Sequence, residues 1–233
     1  MPLKIKGFIE TSMVDWDGKV SSVIFLPGCN FRCPYCQNGL LISSPEKLKT
    51  IPFEEIKKYL SGHKKWIDGV VLTGGEPTIH KDLKHLIKKI KDLGFLVKLD
   101  TNGSNPKMLK QLIKAKMIDF VAMDLKAPLD ERYNKACGVK VDIKKIKESI
   151  KIIMEGKIDH EFRCTVVPTI IDEDGIEAMA RSIEGAKKFV LQQFQPEHAM
   201  DEKMKILEPY PKEKLEKLSK IASKYVKTKL RGI

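Results

Sequence analysis

The sequence predicts an α/β fold in which parallel strands alternate with helices. Six short apolar runs rich in β-branched residues predict strands, and amphipathic stretches with apolar residues at every third or fourth position lie between them. Strands that alternate with helices pair in parallel through right-handed crossovers. This pattern alone is compatible with a doubly wound sheet or with a barrel. In both folds, ligands bind at the carboxyl ends of the strands.

The predicted elements follow in order along the chain. The strands cover residues 22–26, 69–73, 96–100, 120–125, 162–167 and 188–194. Apolar positions between residues 83 and 93 predict one helix, with lysines on its other face. Asp142 is a predicted N-cap for a second helix, whose apolar residues run from Ile143 to Ile153. Pro211 begins the last predicted helix, at about residues 211–227, because proline suits a first helical turn.

Composition favours one folded domain in a reducing compartment. The chain has 233 residues, of which 42% are hydrophobic, so it can bury a sizeable core. No apolar run approaches the roughly 20 residues of a membrane span. An odd number of cysteines and an N-terminus without the apolar core of a signal peptide predict unpaired thiols and a cytoplasmic location. We expect a single domain over residues 1–233, with a core at about residues 18–196 that follows an N-terminal segment, residues 1–17.

The formal net charge of +12 comes from 43 basic and 31 acidic residues. Nearly all of the positive charge is lysine on predicted helix surfaces, such as Lys84 and Lys88. Such a surface is either a solvated face, as in hyperthermophile proteins, or a docking surface for an acidic protein partner. We expect neither a nucleic-acid partner nor a membrane partner.

Three of the five cysteines, Cys29, Cys33 and Cys36, lie in one loop with the spacing C-x3-C-x2-C. Thiolates are the usual ligands of iron–sulfur clusters, and a cubane cluster has four irons, so three cysteines leave one iron open for a ligand that is not protein. A structural zinc site would need four ligands in closed tetrahedral order. A zinc loop or buried thiols are the alternatives.

Polar residues follow the predicted strands. Gly74, Gly75 and Glu76 come after the second strand and could form a ligand-binding turn or an ordinary one. Ala122, Asp124 and Lys126 share one face of the fourth strand, because side chains alternate along a strand. A simple ion pair of Lys126 with Asp124 or Asp100 is the alternative to a ligand site.

Two further cysteines are expected to have no catalytic role. On the fifth strand, Arg163 alternates with Cys164, so we expect Arg163 to face inward and Cys164 to pack outward as a small hydrophobe. We expect Cys137 to lie in a loop without a partner. The five histidines are scattered, and we expect them to be surface or capping residues.

The cysteine spacing, with Tyr35 directly before the last cysteine, resembles the signature of the radical S-adenosylmethionine (SAM) enzymes. The resemblance implies a partial (β/α)6 barrel and a 4Fe–4S cluster on Cys29, Cys33 and Cys36, with SAM on the open iron. In that family, an electron passed through the cluster cleaves SAM and releases a 5′-deoxyadenosyl radical. The cofactors carry the difficult chemistry, and the protein orients them and excludes water.

The strand ends resemble those of the glycyl-radical-enzyme activases. This resemblance implies that the Gly-Gly-Glu-Pro motif binds the amino group of SAM and that Lys126 meets its carboxylate. It further implies a monovalent cation near Asp100, Thr101 and Asp124. Gln195 stands where pyruvate formate-lyase activases carry histidine. The cofactor-binding residues implied are Tyr35, Gly74, Gly75, Glu76, Asp100, Thr101, Asn102, Asp124, Lys126, Arg163 and Gln195.

Residues 7–19 resemble the anaerobic ribonucleoside-triphosphate reductase activating proteins, with Asp17 where that family has proline. The resemblance implies hydrogen abstraction from a glycine of a partner glycyl radical enzyme, with electrons from an external ferredoxin or flavodoxin. One alternative is a radical SAM enzyme that acts on a small molecule or cofactor precursor. The other is a non-catalytic iron–sulfur or zinc-binding protein.

Overall fold

The computed structural model describes residues 3–233. The strands of this range are Gly7–Ser12 (β1), Ser21–Leu26 (β2), Gly69–Gly74 (β3), Leu96–Thr101 (β4), Phe120–Asp124 (β5), Asp159–Val166 (β6), Phe189–Gln193 (β7) and Thr228–Arg231 (β8). They are ordered β1 to β8 in the sheet, as in the chain, and the sheet is not closed. The predicted α/β fold class is therefore confirmed.

Helices connect most of these strands. They are Gly39–Ser43 (α1), Phe53–Gly62 (α2), Leu83–Asp92 (α3), Pro106–Lys114 (α4), Arg132–Cys137 (α5), Ile143–Glu155 (α6), Glu173–Ser182 (α7), Glu202–Lys205 (α8) and Lys212–Ala222 (α9). Among residues 3–233, none of the helices has both the length and the apolar character needed to cross a lipid bilayer.

The chain divides into two compact units. The first comprises the residues up to Asn30, Leu40–Thr101 and Lys107–Val121. The second comprises Phe31–Gly39, Asn102–Pro106 and Ala122–Ile233. Each unit contains several strands and the helices that cover them. The single domain over the whole chain stays a prediction.

In the first unit, β1 runs antiparallel to β2, and β2, β3 and β4 are parallel. The register pairs apolar residues of neighbouring strands, for example Val23 with Val71. Trp16 is buried against these two valines. A side chain at Gly69 would meet the Trp16 ring at 2.7 Å, so this tryptophan requires a glycine at the start of β3. The predicted helix at residues 83–93 is confirmed as α3, and its apolar face is buried.

In the second unit, β6, β7 and β8 are parallel. The predicted N-cap of α6 is confirmed, since the Asp142 carboxylate accepts a hydrogen bond of 3.1 Å from the Lys144 amide. The last helix ends at Ala222, earlier than the predicted residue 227. The residues beyond it form β8, in which Thr228 pairs with Phe189 of β7. These residues therefore form a strand through pairing with β7, and the sequence pattern did not indicate this strand.

Candidate cofactor site

The three clustered cysteines follow β2 and precede α1. Cys29 belongs to the first unit, and Cys33 and Cys36 belong to the second. All three are thiols outside any disulfide, with Cys33 buried and the other two half-buried. The amide of Cys36 donates a hydrogen bond of 3.0 Å to the carbonyl of Cys33, which closes a turn between these two thiols. Burial raises the pKa of Cys36.

Among residues 3–233, no three His, Cys, Asp or Glu side chains lie together in a group that could hold a metal ion. The ligand set Cys29, Cys33 and Cys36 therefore stays a prediction, based on spacing and resemblance.

In the first unit, two glycines at the end of β3, Gly74 and Gly75, pack against the backbone just before Cys29. The Gly75 amide donates to the Leu26 carbonyl, and the Glu76 amide donates to the Gly28 carbonyl, both at 2.8 Å. A Cβ atom on Gly75 would lie 1.8 Å from the Gly28 oxygen. Gly74 has a φ of 117°, a conformation that favours glycine. These glycines are therefore required by the protein's own backbone, beyond any contact with a ligand.

His80 holds the same backbone segment and was not identified from the sequence. Its Nε2 atom lies 2.8 Å from the Pro27 carbonyl oxygen. Because a carbonyl can only accept a hydrogen bond, Nε2 carries the proton. Burial lowers the pKa of His80. Nothing in the local sequence indicates this contact, which joins residues far apart in the chain.

Glu76 is almost completely buried, with 1% of its surface exposed. Its Oε1 atom accepts hydrogen bonds from the Thr78 amide at 3.0 Å and the Thr78 hydroxyl at 2.5 Å. The Thr101 hydroxyl donates a third bond of 2.8 Å. These three donors orient the carboxylate. A buried anionic group of this kind suits a cationic ligand group such as an ammonium.

Lys98 was also missed, although it lies on the same strand face as Asp100. Its side chain is 1% exposed, and Nζ lies 3.8 Å from a carboxylate oxygen of Asp100. Nζ also donates a hydrogen bond of 2.5 Å to the Asp15 carbonyl and lies 5.3 Å from the centre of the Phe120 ring. In the first unit, Asp100 therefore lies beside a protein cation.

In the second unit, Asp124, Lys126 and Arg163 form one charged group. Arg163 Nε donates to one Asp124 oxygen at 2.7 Å, and Lys126 Nζ donates to the other at 3.1 Å. The amide of Leu125 donates to the Arg163 carbonyl, which places the end of β5 beside β6. The predicted ion pair between Lys126 and Asp124 is present.

The pKa values of this group shift in opposite directions. Burial alone would raise the pKa of Asp124, but the charges of Arg163 and Lys126 outweigh burial and lower it. Burial alone would lower the pKa of Lys126, but Asp124 outweighs burial and raises it. The carboxylate and both cations are therefore charged at neutral pH. Two cations placed side by side suit an anionic ligand group such as a carboxylate.

The other predicted residues of the second unit have varied surroundings. Tyr35 is buried, and burial raises its pKa. The Asn102 side chain is buried and accepts a hydrogen bond of 2.9 Å from the Ser104 amide. Gln195 is exposed and accepts a bond of 3.3 Å from the Gln37 side chain. Cys164 is buried as predicted, and burial raises its pKa to about 12.

The prediction for Cys137 was wrong. Cys137 is the last residue of α5, it is fully buried, and its side chain forms a hydrogen bond with Cys33. This bond is the main reason that the pKa of Cys33 is lowered to about 7, and the charge of Lys126 lowers it further. The sequence pattern could not reveal the contact, because it joins two cysteines in separate elements.

Known proteins resemble this chain along most of its length. Residues 23–183 match the model of the Radical SAM superfamily. A Methanocaldococcus jannaschii protein with the name "putative glycyl-radical enzyme activating enzyme" is 38% identical over 97% of this chain and 94% of that protein. The pyruvate formate-lyase-activating enzyme of Clostridium pasteurianum is 26% identical over 93% of this chain and 95% of that enzyme. The 7-carboxy-7-deazaguanine synthase of Aquifex aeolicus is 29% identical over 60% of this chain and 68% of that enzyme.

Solved structures share the fold at low sequence identity. Streptococcus suis SuiB bound to S-adenosylmethionine superposes with a TM-score of 0.69 at 16% identity, over 90% of this chain. The chain spans about half of SuiB, since the match covers 52% of that structure. QueE from Escherichia coli superposes with a TM-score of 0.57 at 16% identity, over 99% of this chain and 94% of QueE. The predicted partial-barrel fold is therefore confirmed.

Proposed function

Because the chain belongs to the radical SAM superfamily, we propose that it is a glycyl-radical-enzyme activase that binds a 4Fe–4S cluster and SAM. The observation that carries this proposal is the 38% identity to a protein named as such an activating enzyme, which covers 97% of this chain and 94% of that protein. The glycine that loses its hydrogen would belong to a partner enzyme. The electron would come from an external ferredoxin or flavodoxin.

Cys29, Cys33 and Cys36 would hold the cluster. Their thiols, which are not joined in disulfides, are the donor type that iron–sulfur clusters require. When both cofactors are bound, the chemistry they would supply is cleavage of SAM by the external electron to a 5′-deoxyadenosyl radical able to abstract hydrogen from carbon. The protein contributes binding and orientation, as is general for enzymes of this kind.

The methionine part of SAM carries an amino group and a carboxylate, and the protein has charged side chains that suit each of them. The Glu76 carboxylate is buried and oriented by hydrogen bonds from Thr78 and Thr101, and it would bind the amino group. Lys126 and Arg163, the two cations paired with Asp124, would bind the carboxylate. The charges of these side chains support the proposal.

The remaining cofactor assignments belong to the same proposal. Tyr35, Asn102 and Gln195 would contact SAM. Asp100, Thr101 and Asp124 would hold a monovalent cation next to the carboxylate. The cation is tested by titrating SAM into the loaded protein in potassium buffer and in buffer with only an organic cation. If a cation site is present, SAM should bind more weakly in the buffer that contains only an organic cation. Equal SAM affinity in the two buffers would contradict the cation site.

The activase proposal is tested by electron paramagnetic resonance under anaerobic conditions. The reconstituted protein is incubated with SAM, a reductant and candidate glycyl radical enzymes from the same organism. We expect a glycyl-radical doublet on one partner, which is absent with the Cys33→Ala variant and present with Cys164→Ala. If no partner gives a doublet while SAM is cleaved, the activase proposal is wrong and the radical SAM assignment stands.

The second candidate is a radical SAM enzyme that acts on a small molecule. It is favoured by the 29% identity to 7-carboxy-7-deazaguanine synthase, which covers 68% of that enzyme. The discriminating measurement is mass spectrometry of incubations with pterin and deazapurine precursors. A SAM-dependent product without a glycyl doublet would support this candidate and contradict the activase.

A further inference from the structure

The side chains of Cys33 and Cys137 form a hydrogen bond, although a hundred residues separate them in the sequence. Both belong to the second unit. Cys33 is 6% exposed, and Cys137 is fully buried. The proposed function uses Cys33 as a cluster ligand and assigns nothing to Cys137.

The backbone around the two thiols fixes this contact. The amide of Arg32, directly before Cys33, donates a hydrogen bond of 2.8 Å to the carbonyl of Cys137. Gly138 has a φ of 64°, and a Cβ atom there would lie 2.2 Å from the Arg32 carbonyl oxygen. Because two backbone segments meet this closely, the fold holds the two cysteines next to each other.

We propose that Cys33 and Cys137 form a reversible disulfide when no cluster is bound, so that thiol oxidation and cluster loading compete for Cys33. The inference rests on the proposed function only in taking Cys33 as a cluster ligand. The thiol pair is a modification site whose chemistry is separate from SAM cleavage.

The oxidant is a small-molecule disulfide, such as oxidised glutathione. The Cys33 thiolate attacks one sulfur of the oxidant, which breaks its S–S bond and releases one thiolate. The Cys137 sulfur then attacks the Cys33 sulfur of the mixed disulfide and displaces the second thiolate. The two protons from the protein thiols end on the two released thiols. The protein pair is oxidised by two electrons, and the small disulfide is reduced by two.

Two other thiols serve as comparisons. Cys36 lies in a C-x2-C spacing with Cys33, so a bond between Cys33 and Cys36 is the competing product. Cys164 is 1% exposed, and its thiol hydrogen-bonds the carbonyl of Thr165. Cys164 therefore provides the matched control for a buried cysteine.

The experiment uses the full iron-free chain, incubated with oxidised glutathione, alkylated and digested with trypsin without reduction. Trypsin cuts after Arg32, Lys47, Lys135 and Lys140, so Cys33 and Cys137 lie on separate peptides. We expect these two peptides to be linked, with fragmentation placing the bond on Cys33 and not on Cys36. We expect dithiothreitol to reverse the link. A bond between Cys33 and Cys36, or no bond, would overturn the inference.

Variants and cluster loading give a second measurement. We expect oxidised wild-type protein to take up at least fivefold less iron than reduced protein, and oxidised Cys164→Ser to behave like wild type. We expect Cys137→Ser to take up iron equally before and after oxidation, with far-ultraviolet circular dichroism to verify its fold. If Cys137→Ser does not fold, the peptide mapping on wild-type protein decides alone.

The loaded protein separates this inference from the proposed function. We expect no link in loaded protein until a chelator removes the iron. If loaded protein forms the link while it keeps its iron, the disulfide stands and Cys33 is not a ligand. If iron-free protein forms no link while loaded protein cleaves SAM, the function stands and the disulfide is excluded.

Discussion

The Thr101 hydroxyl donates a hydrogen bond of 2.8 Å to the Glu76 carboxylate, and this bond joins the end of β4 to the residues after β3. Both side chains are buried. Glu76 is the residue proposed to bind the amino group of SAM, and the resemblance implies in addition a role for Thr101 at the cation. Thr101 therefore orients Glu76.

Thr101→Val removes this donor and should lower the free energy of unfolding by about 1–3 kcal/mol, because a buried carboxylate loses one partner. The same change should weaken SAM binding. Thr101→Ser keeps the hydroxyl and should lose less stability and less affinity. Urea denaturation and calorimetric SAM titration measure the two effects. Equal effects of both substitutions would mean that the methyl group matters and the hydrogen bond does not.

Gly75→Ala should displace the backbone before Cys29, because the added Cβ would lie 1.8 Å from the Gly28 oxygen. We expect a loss of about 3 kcal/mol or more in the free energy of unfolding and a reduced iron content after reconstitution. Gly62→Ala is the matched control, since nothing lies within 4 Å of its added Cβ and Gly62 is in α2. Alanine at position 62 should leave iron loading unchanged.

Lys98→Met should destabilise the protein by about 3–5 kcal/mol, because it removes a buried cation from beside the Asp100 carboxylate. It should also speed hydrogen exchange in residues 12–19, because the bond from Lys98 to the Asp15 carbonyl is lost. Lys88→Met removes an exposed ion pair with Asp92 and should change the free energy of unfolding by less than about 1 kcal/mol. Similar losses in both variants would contradict a special role for Lys98.

The pKa of Asp124 is lowered in the folded protein, which gives a pH dependence with a definite sign. The ionised carboxylate stabilises the fold above its unfolded pKa of about 3.9, and this contribution is lost as pH falls through the folded pKa. The stability advantage of wild type over Asp124→Asn should therefore be full at pH 7 and shrink below about pH 4. Urea denaturation at pH 7, 5 and 3.5 measures it. An advantage that grows on acidification would contradict the assigned charges.

The sequence predicted the strands β2 to β7 because each is a run of apolar residues, as in Val70, Val71 and Leu72 of β3. It did not predict β1 or β8. Strand β1 has three consecutive exposed residues, and β8 has only four residues with none buried. Such strands form because they pair with a neighbouring strand, and the local periodicity of the sequence does not encode that pairing.

Local patterns also limited what the sequence could indicate about the candidate site. Spacing and resemblance identified Glu76, Asp124 and Lys126, which occur in short local motifs. His80, Lys98 and Cys137 were missed as contributors because their partners, Pro27, Asp15 and Cys33, are distant in the sequence. Each of these contacts forms only when folding brings two distant parts of the chain together. No local pattern of residue types distinguishes them from surface or core residues.

The central claim is that three thiols hold a 4Fe–4S cluster whose remaining iron accepts SAM. Mössbauer spectroscopy of protein reconstituted anaerobically with iron-57 tests it most directly. The account predicts a cubane cluster in which SAM changes the spectrum of one iron out of four, with no cluster in Cys33→Ala. A spectrum that SAM leaves unchanged, or a protein that binds zinc in place of iron, would contradict it.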